Sequence, residues 1–237
     1  MSGAIREDAG GAATTVPWRA DPYTRALSAG RGPLFLRRAD GWLLPLEVER
    51  WCAAADAADR TVLRRCQGPV LDIGCGPGRL VAALAPYGRR CLGIDVSRAA
   101  VARTVRTGGP ALCRSVFEPL PDEGRWGTAL LLDGNIGIGG DPRALLARVA
   151  QLLAPEGLLI VEAAAADVDE RVRVRVDDGR GRVGTAFPWA RVGAPALLRH
   201  AGAAGWTAVE RWTARGREFM TLRRAALPGP AAPPNPP

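Results

Sequence analysis

The sequence has no lysine and only one histidine among its 237 residues, so all 32 of its basic side chains are arginine. The formal net charge is nevertheless +8. Proteins that bind nucleic acid through phosphate contacts usually cluster lysine with arginine, whereas these arginines are spread along a chain rich in alanine, glycine and proline. We attribute the basicity to a GC-rich coding bias and do not expect a nucleic-acid partner.

Cysteine is also scarce, and its spacing argues against two kinds of site. The five cysteines are Cys52, Cys66, Cys75, Cys91 and Cys113. None belongs to a C-x-x-C pair and their number is odd, which disfavours a disulfide framework and a zinc knuckle. Because His200 is the sole histidine, we predict no metal site.

Long apolar runs are missing as well. No uncharged stretch approaches the roughly 18 residues that a membrane span needs, and the N-terminus lacks the apolar core of a secretory signal. The sequence therefore predicts a cytoplasmic protein without a membrane segment, and we expect a monomer or a homodimer. Residues 1–20 predict a mobile arm, and the Pro/Ala-rich residues 226–237 predict a disordered tail.

Between these ends, two hydrophobic patterns alternate along the chain. Patterns with a 3.6-residue period predict helices at 46–66, 79–87, 98–106, 142–153 and 193–204. Short apolar runs predict strands at 70–73, 90–94, 111–116, 129–132 and 158–161, followed by a hairpin of strands at 206–213 and 217–223. Such alternation indicates an α/β fold with a doubly wound, mostly parallel, Rossmann-like sheet and an antiparallel strand at its end.

A glycine-rich turn follows the first of these strands. Asp72 precedes the turn, which contains Gly74, Gly76 and Gly78, and Asp95 ends the second strand 21 residues after Gly74 (95 − 74). Glycine lets the backbone turn sharply and approach a ligand closely. An acid at the tip of the next strand accepts hydrogen bonds from the ribose hydroxyls of an adenosine.

Two features of this turn differ from G-x-G-x-x-G, the glycine pattern that binds dinucleotides such as NAD. The third glycine of G-x-G-x-x-G would fall at Arg79, and the carboxyl of Asp72 stands directly before the turn. A pyrophosphate is bound by backbone N–H groups and disfavours a nearby carboxylate, whereas a cationic ligand tolerates one. The sequence therefore disfavours NAD and favours a positively charged adenosine compound.

Three ordered motifs resemble those of the class I S-adenosylmethionine-dependent methyltransferases. Residues 70–78 (VLDIGCGPG) are similar to the first motif, residues 92–97 (LGIDVS) to the second, and residues 152–162 (LLAPEGLLIVE) to the helix-turn-strand that follows the methyl site. The resemblance covers about residues 46–224. It implies a seven-stranded sheet with an antiparallel last strand, an N-terminal lid and helix at 21–66, and a cofactor-binding methyltransferase domain at 67–225.

The resemblance also implies that the cofactor is S-adenosylmethionine. The residues that it assigns to cofactor binding are Asp72, Gly74, Cys75, Gly76, Gly78, Asp95, Val96, Ser115, Val116 and Asp133. Family members often carry an acid near the adenine where this sequence has Ser115. We therefore expect the adenine amino group to meet the backbone of Val116 or Phe117.

The acceptor is expected at the loop after the fourth strand, DGNIGIGGD at 133–141. Asp133 and Asn135 are candidates either to orient it or to hydrogen-bond the cofactor's amino group. His200 is the candidate base because of its pKa range, although a histidine on an outer helix more often packs. The loop lacks the Asn/Asp-Pro-Pro-aromatic pattern of methyltransferases that modify exocyclic amines. No cysteine nucleophile for pyrimidine C5 lies near it. Small molecules are therefore the expected acceptors.

Two further segments leave alternatives open. Residues 171–176 alternate arginine with valine and predict a strand, whose arginines either bind an anionic acceptor or form the solvated face of an edge strand. The FPW segment at 187–189 either lines the acceptor pocket or simply packs.

The stretch from Tyr23 to Trp42 is a candidate lid, in which Tyr23, Arg25 and Arg37 are candidates for the methionine carboxylate. The sequence as a whole predicts a methyltransferase that acts on a small molecule. An RNA methyltransferase and a non-catalytic protein that binds an adenosyl ligand are the alternatives.

Overall fold

The computed structural model describes residues 21–225. Its helices are α1 (Asp21–Ala29), α2 (Val48–Cys52), α3 (Ala57–Arg65), α4 (Arg79–Leu84), α5 (Arg98–Arg106), α6 (Pro142–Leu152) and α7 (Ala194–Ala203). Its strands are β1 (Phe35–Arg38), β2 (Leu43–Pro45), β3 (Val70–Ile73), β4 (Cys91–Asp95), β5 (Ala111–Cys113), β6 (Trp126–Leu131), β7 (Leu153–Ala163), β8 (Asp169–Asp177), β9 (Phe187–Val192), β10 (Trp206–Ala214) and β11 (Arg217–Arg224). The predicted arm at 1–20 and tail at 226–237 lie outside the described residues. Of the helices described, none has the length and apolarity to cross a membrane.

A seven-stranded sheet runs in the order β10-β11-β7-β6-β3-β4-β5. Strands β3 to β7 pair in parallel, and β11 is antiparallel to both of its neighbours, β7 and β10. The predicted fold class and the terminal hairpin are confirmed. The chain proceeds from β3 to β4 and β5 on one side, then crosses to β6 and β7 on the other. The switch point of the sheet therefore lies between β3 and β6, where open α/β sheets bind ligands.

Apolar side chains cover both faces of this sheet. Helices α6 and α7 pack on one face through residues such as Leu145 and Leu197. Helices α3 and α4 pack on the other face through residues such as Val62 and Leu84. Burial of each such side chain contributes about 1.5–3 kcal/mol. All four residues of β3 are buried, as expected for a central strand that is covered on both sides.

A second, antiparallel sheet has the order β2-β1-β8-β9 and joins two distant segments of the chain. The strand predicted at 171–176 is confirmed as part of β8. Its interpretation as an edge strand is wrong, because β8 pairs with β1 on one side and with β9 on the other. Val174 and Val176 belong to an apolar cluster with residues of α1 and α2, whereas Arg171, Arg173 and Arg175 are exposed.

The helix predicted over 46–66 consists of two helices, α2 and α3. The Asp56 carboxylate accepts a hydrogen bond from the Asp59 N–H (2.8 Å), and the Asp59 carboxylate accepts one from the Asp56 N–H (2.9 Å). This reciprocal capping box starts a new helix, because the capping residue must adopt a non-helical backbone. Ser97 caps α5 and Asp141 caps α6 through their side-chain oxygens.

Candidate functional site

A cavity of about 420 Å³ opens at the carboxyl ends of β3, β4 and β6, beside the switch point. This volume lies within the range of about 300–1,000 Å³ that small-molecule sites occupy. Most of the predicted site residues line it, namely Asp72, Gly74, Cys75, Gly76, Asp95, Val96, Ser115, Val116, Asp133 and Asn135. Gly78 and His200 are not among the lining residues.

The glycine turn is shaped by its neighbours as well as by the cavity. Gly78 caps α4 with a φ of 88°, and a Cβ there would lie 2.5 Å from the Thr104 side chain on α5. This glycine is thus required for helix packing and does not reach the cavity. At Gly76, in contrast, the only group among the described residues, apart from its chain neighbours, within 4 Å of an added Cβ is the Tyr23 hydroxyl, at 3.7 Å. The space above Gly76 therefore belongs to the cavity.

Asp95 is fixed at the tip of β4 by backbone donors. Its Oδ2 accepts a hydrogen bond from the Gly76 N–H (3.0 Å), and its Oδ1 accepts one from the Ser97 N–H (2.8 Å). Burial raises the pKa of Asp95 to about 6 despite these two donors and the Val96 N–H. The carboxylate keeps the capacity to accept hydrogen bonds from a ligand.

Asp72 presents an unpaired carboxyl oxygen at the cavity. The residue is 2% exposed, and its Oδ2 has no hydrogen-bond partner among the described residues. Burial, together with the nearby carboxylates of Asp133 and Asp95, raises the pKa of Asp72 to about 8. A buried polar atom without a partner is costly. The site is therefore suited to a ligand that brings a positive charge or a donor to Asp72.

Asp133 is held by arginines from three elements. Its carboxylate lies 2.6 Å from Arg50 on α2, 2.6 Å from Arg79 on α4 and 3.2 Å from Arg217 on β11. Burial alone would raise the pKa of Asp133, but these three cations lower it. Arg217 also binds Glu162, whose carboxylate accepts the Asp133 N–H at 2.7 Å. Asp133 thus organises a buried charge cluster at the rim of the cavity.

Asn135 joins the loop after β6 to the glycine turn. Its Nδ2 donates hydrogen bonds to the carbonyl oxygens of Ile73 (2.9 Å) and Gly74 (3.0 Å). A Cβ on Gly74 would lie 2.6 Å from this nitrogen. The Asn135 amide group therefore fixes the turn, and its oxygen remains to accept a donor from the cavity.

The segment after β5 turns sooner than predicted, because the strand ends at Cys113. The Ser115 N–H donates to the Glu118 carboxylate (2.6 Å), and the Ser115 hydroxyl accepts the Phe117 N–H (3.2 Å). The Val116 carbonyl accepts a hydrogen bond from Arg148 (2.9 Å). Ser115 and Val116 both line the cavity, so this turn borders the compartment that the family resemblance assigns to adenine.

Five aromatic side chains line the rest of the cavity, and the sequence identified only part of this set. They are Tyr23, Trp51, Phe117, Phe187 and Trp189. Tyr23 and Trp51 form an edge-to-face pair with ring centroids 6.5 Å apart, and Phe187 and Trp189 form another at 6.1 Å. The FPW segment at 187–189 therefore lines the cavity.

The glycines of the loop after β6 make room for these rings. A Cβ on Gly137 would lie 2.7 Å from the Trp189 indole, and one on Gly139 would lie 2.8 Å from the Phe117 ring. An isolated antiparallel bridge also joins Ile138 to Trp189. Gly137 and Gly139 therefore let the loop approach aromatic side chains of the cavity.

His200 lies on α7, outside the cavity. Its Nδ1 accepts a hydrogen bond from Arg143 Nε (3.3 Å), so its Nε2–H donates to the Asp169 carboxylate (2.8 Å). The imidazole thus joins α6, α7 and β8. Among the candidates for the methionine carboxylate, Tyr23 lines the cavity, whereas Arg25 and Arg37 do not. Arg37 instead forms an ion pair with Asp177 at 3.0 Å.

Comparisons with known proteins agree with this architecture. No curated protein sequence matches the chain. The solved structure of an S-adenosylmethionine-dependent methyltransferase from Bacteroides fragilis, in complex with S-adenosyl-L-homocysteine, is 21% identical, with a TM-score of 0.75 over 89% of this chain and 98% of that one. The 1,6-didemethyltoxoflavin-N1-methyltransferase of Burkholderia thailandensis is 22% identical, with a TM-score of 0.54 over 72% of this chain and 79% of that one.

A third similar structure is the glycopeptide N-methyltransferase MtfA complexed with S-adenosyl-L-methionine. It is 16% identical, with a TM-score of 0.53 over 73% of this chain and 97% of that one. At these identities the likeness establishes the fold. A family model described as a methyltransferase domain matches residues 48–210, well over half of the chain. The chain therefore belongs to the methyltransferase-domain family.

Proposed function

We propose that this member of the methyltransferase-domain family transfers a methyl group from S-adenosylmethionine to a small-molecule acceptor. The observation that carries the proposal is the unpartnered Asp72 oxygen in a cavity that also presents the open Gly76 turn and Asp95. Similar structures crystallised with S-adenosylhomocysteine or S-adenosylmethionine support the choice of cofactor.

The side chains of the cavity fit this cofactor, which carries a sulfonium and an ammonium group. Asp72 and the free oxygen of Asn135 would accept the cationic methionine part, and the space above Gly76 would take its chain. Asp95 would accept the two ribose hydroxyls. Val96 and Val116 would border the adenine ring. When bound, the cofactor supplies an electrophilic methyl group.

The protein's own contribution is mainly positional. The capped tip of β4 and the turn tied down by Asn135 hold two ends of the cofactor site rigidly. Correct placement of two reactants contributes up to roughly 7–11 kcal/mol to lowering a barrier. Because His200 lies outside the cavity, we do not assign it a catalytic role.

We also propose that two parts of the chain have different roles at the site. Residues 67–225 hold the glycine turn, Asp95 and Asn135, and would bind the cofactor. Residues 21–66 contribute Tyr23, Leu46 and Trp51 to the cavity and would close it on one side. We place the protein in the cytoplasm, where the cofactor is made.

Calorimetric titration of the purified protein with S-adenosylmethionine tests the proposal. We expect saturable binding in the micromolar range, no heat from NAD, and weaker binding by Asp95→Ala. Asp167→Ala, at an exposed position outside the cavity, is the matched control. If the wild-type protein does not bind S-adenosylmethionine, the proposed function is wrong.

Two further measurements address the alternatives. Formation of S-adenosylhomocysteine with a small-molecule mixture would distinguish an enzyme from a protein that only binds the cofactor. Filter binding of total RNA with a steep salt dependence would favour an RNA methyltransferase instead, because phosphate contacts release counterions.

A further inference from the structure

The acceptor side of the cavity is unusually aromatic for a chain with 5% aromatic residues. Trp189 and Phe187 lie on β9, and Phe117 lies across from them against Gly139. Ile138 and Pro188 add further apolar surface between these rings. Rings held rigidly by neighbouring backbone favour a flat ligand, because offset and edge-to-face ring pairs contribute about 0.5–1.5 kcal/mol beyond area burial.

Few described side chains on the acceptor side of the cavity can take a proton. Histidine and lysine are absent from the described residues that line it. Burial, followed by the nearby charge of Asp95, raises the pKa of the Tyr23 phenol well above its ordinary value. Asp133 is paired with three arginines, and the proposed function already assigns Asp72 and Asp95 to the cofactor. Glu118, the remaining carboxylate of the lining, belongs to the turn after β5 and accepts the Ser115 N–H (2.6 Å). Among the described residues, an acceptor that must lose a proton before or during methyl transfer would therefore find no unassigned base beside Trp189.

The charges at the cavity disfavour an anionic acceptor as well. Asp72, Asp95 and Asp133 line the cavity, and the arginine nearest to them, Arg79, is already paired with Asp59 and Asp133. Arg114, the other arginine of the lining, belongs to the turn after β5 and donates to the Pro119 carbonyl (2.8 Å). Among the described residues, a carboxylate or phenolate would therefore find no unpaired cation at the end formed by Asp72 and Asp133. A neutral nucleophile is not repelled by these carboxylates and needs no cation as a partner.

Resting on the proposed function, we infer that the methyl acceptor is a small planar heteroaromatic compound that packs against Trp189 and presents an unprotonated ring nitrogen. The nitrogen lone pair forms the new N–CH₃ bond while the S–CH₃ bond breaks, and the electron pair of that bond goes to sulfur. The products are a cationic N-methylated ring and S-adenosylhomocysteine, and no proton has to leave during the step.

Three probes that share one bicyclic skeleton test this inference. Isoquinoline is planar with an unprotonated ring nitrogen, decahydroisoquinoline is puckered and cationic, and 1-decalone is puckered and neutral. Calorimetry is done on protein with a full complement of bound S-adenosylhomocysteine. Isoquinoline should bind about tenfold more tightly than decahydroisoquinoline or 1-decalone. One aromatic ring pair contributes about 0.5–1.5 kcal/mol, which corresponds to an affinity ratio of about 2 to 12. With S-adenosylmethionine present, mass spectrometry should detect N-methylisoquinolinium.

The ratio of the affinities for isoquinoline and 1-decalone separates recognition from structural damage. Trp189→Leu should lower this ratio toward one, whereas Trp189→Phe should keep most of it. Trp42→Leu, which changes a tryptophan outside the cavity, is the matched control and should leave the ratio unchanged. If Trp189→Leu does not fold, Phe117→Leu takes its place with Tyr87→Leu as control, since these rings are 46% and 42% exposed.

Equal binding of isoquinoline and 1-decalone by the wild-type protein would overturn the inference. If Trp189→Leu lowers the affinity for both probes by the same factor, the inference is overturned too, because that result indicates that Trp189 has only a structural role. Selective binding without N-methylisoquinolinium would refute the nitrogen acceptor. Failure of the wild-type protein to bind S-adenosylmethionine would instead refute the proposed function, so the two failures are distinguishable.

Discussion

Replacement of Asp72 by asparagine should make the protein more stable at alkaline pH and weaken its binding of S-adenosylmethionine. The Asp72 carboxyl is buried and its Oδ2 lacks a hydrogen-bond partner among the described residues. Burial, followed by the charges of Asp133 and Asp95, raises its pKa from the ordinary 3.8 to about 8. The folded protein therefore resists ionisation of this group.

The expected size of the effect follows from proton linkage. The folded state keeps the Asp72 proton up to about pH 8, whereas the unfolded chain loses it above about pH 4. Between these values the folded state binds more protons, so the free energy of unfolding falls as pH rises. One group contributes at most about 1.4 kcal/mol per pH unit. From about pH 5 to 8, Asp72→Asn should therefore gain up to about 4 kcal/mol relative to the wild-type protein.

Urea unfolding at several pH values in this interval measures the difference, with the exposed Asp167→Asn as a control that should show no such trend. Calorimetry in buffers of different ionisation heat should also show that S-adenosylmethionine displaces up to about one proton from the wild-type protein near pH 7. The Asp72→Asn variant should release fewer protons when it binds S-adenosylmethionine. A stability difference that stays constant with pH would refute the reasoning.

The remaining predictions concern three other charged positions. Asp95→Ala should weaken S-adenosylmethionine binding at least about tenfold, because a hydrogen bond to a charged group contributes about 1.5–3 kcal/mol, and an unchanged calorimetric affinity would contradict the ribose assignment. His200→Gln should leave kcat unchanged and lower the free energy of unfolding by about 1–3 kcal/mol, because the buried imidazole's hydrogen bonds to Arg143 and Asp169 are lost. A large fall in kcat without a loss of stability would instead support a role for His200 as a base. Arg217→Met should lower the free energy of unfolding by about 3–5 kcal/mol, as measured in urea, because Asp59 and its neighbouring carboxylates lose a buried cation, and a loss below about 1 kcal/mol would argue against a tightly coupled cluster.

The sequence predicted those features that depend on local pattern. Buried strands, capped helices and the spacing from Gly74 to Asp95 are encoded within a few dozen residues, and the structure has them where they were expected. The break at Asp56 was missed even though its signal is local. The pattern of aspartates at 56 and 59 satisfies a capping box, but the apolar periodicity across it favoured one helix.

Features that depend on distant pairing could not be predicted in the same way. The three arginines around Asp133 come from α2, α4 and β11, and no spacing connects them. Trp189 faces the cavity only because β8 pairs with both β1 and β9, which the alternating pattern of β8 alone does not reveal. Such contacts become visible only when the whole chain is folded.

The two sheets carry different parts of the site, so the proposed cofactor side and acceptor side can change separately. Strands β3 and β4 of the large sheet carry Asp72 and Asp95, whereas β9 of the small sheet carries Trp189. The small sheet lines the cavity through β9, whose Trp189 packs against Gly137 in the loop after β6. A change on β9 can therefore reshape the acceptor side while the turn and the tip of β4 keep their own hydrogen bonds. We expect substitutions at Trp189 to change acceptor affinity at constant cofactor affinity, and substitutions at Asp95 to do the reverse.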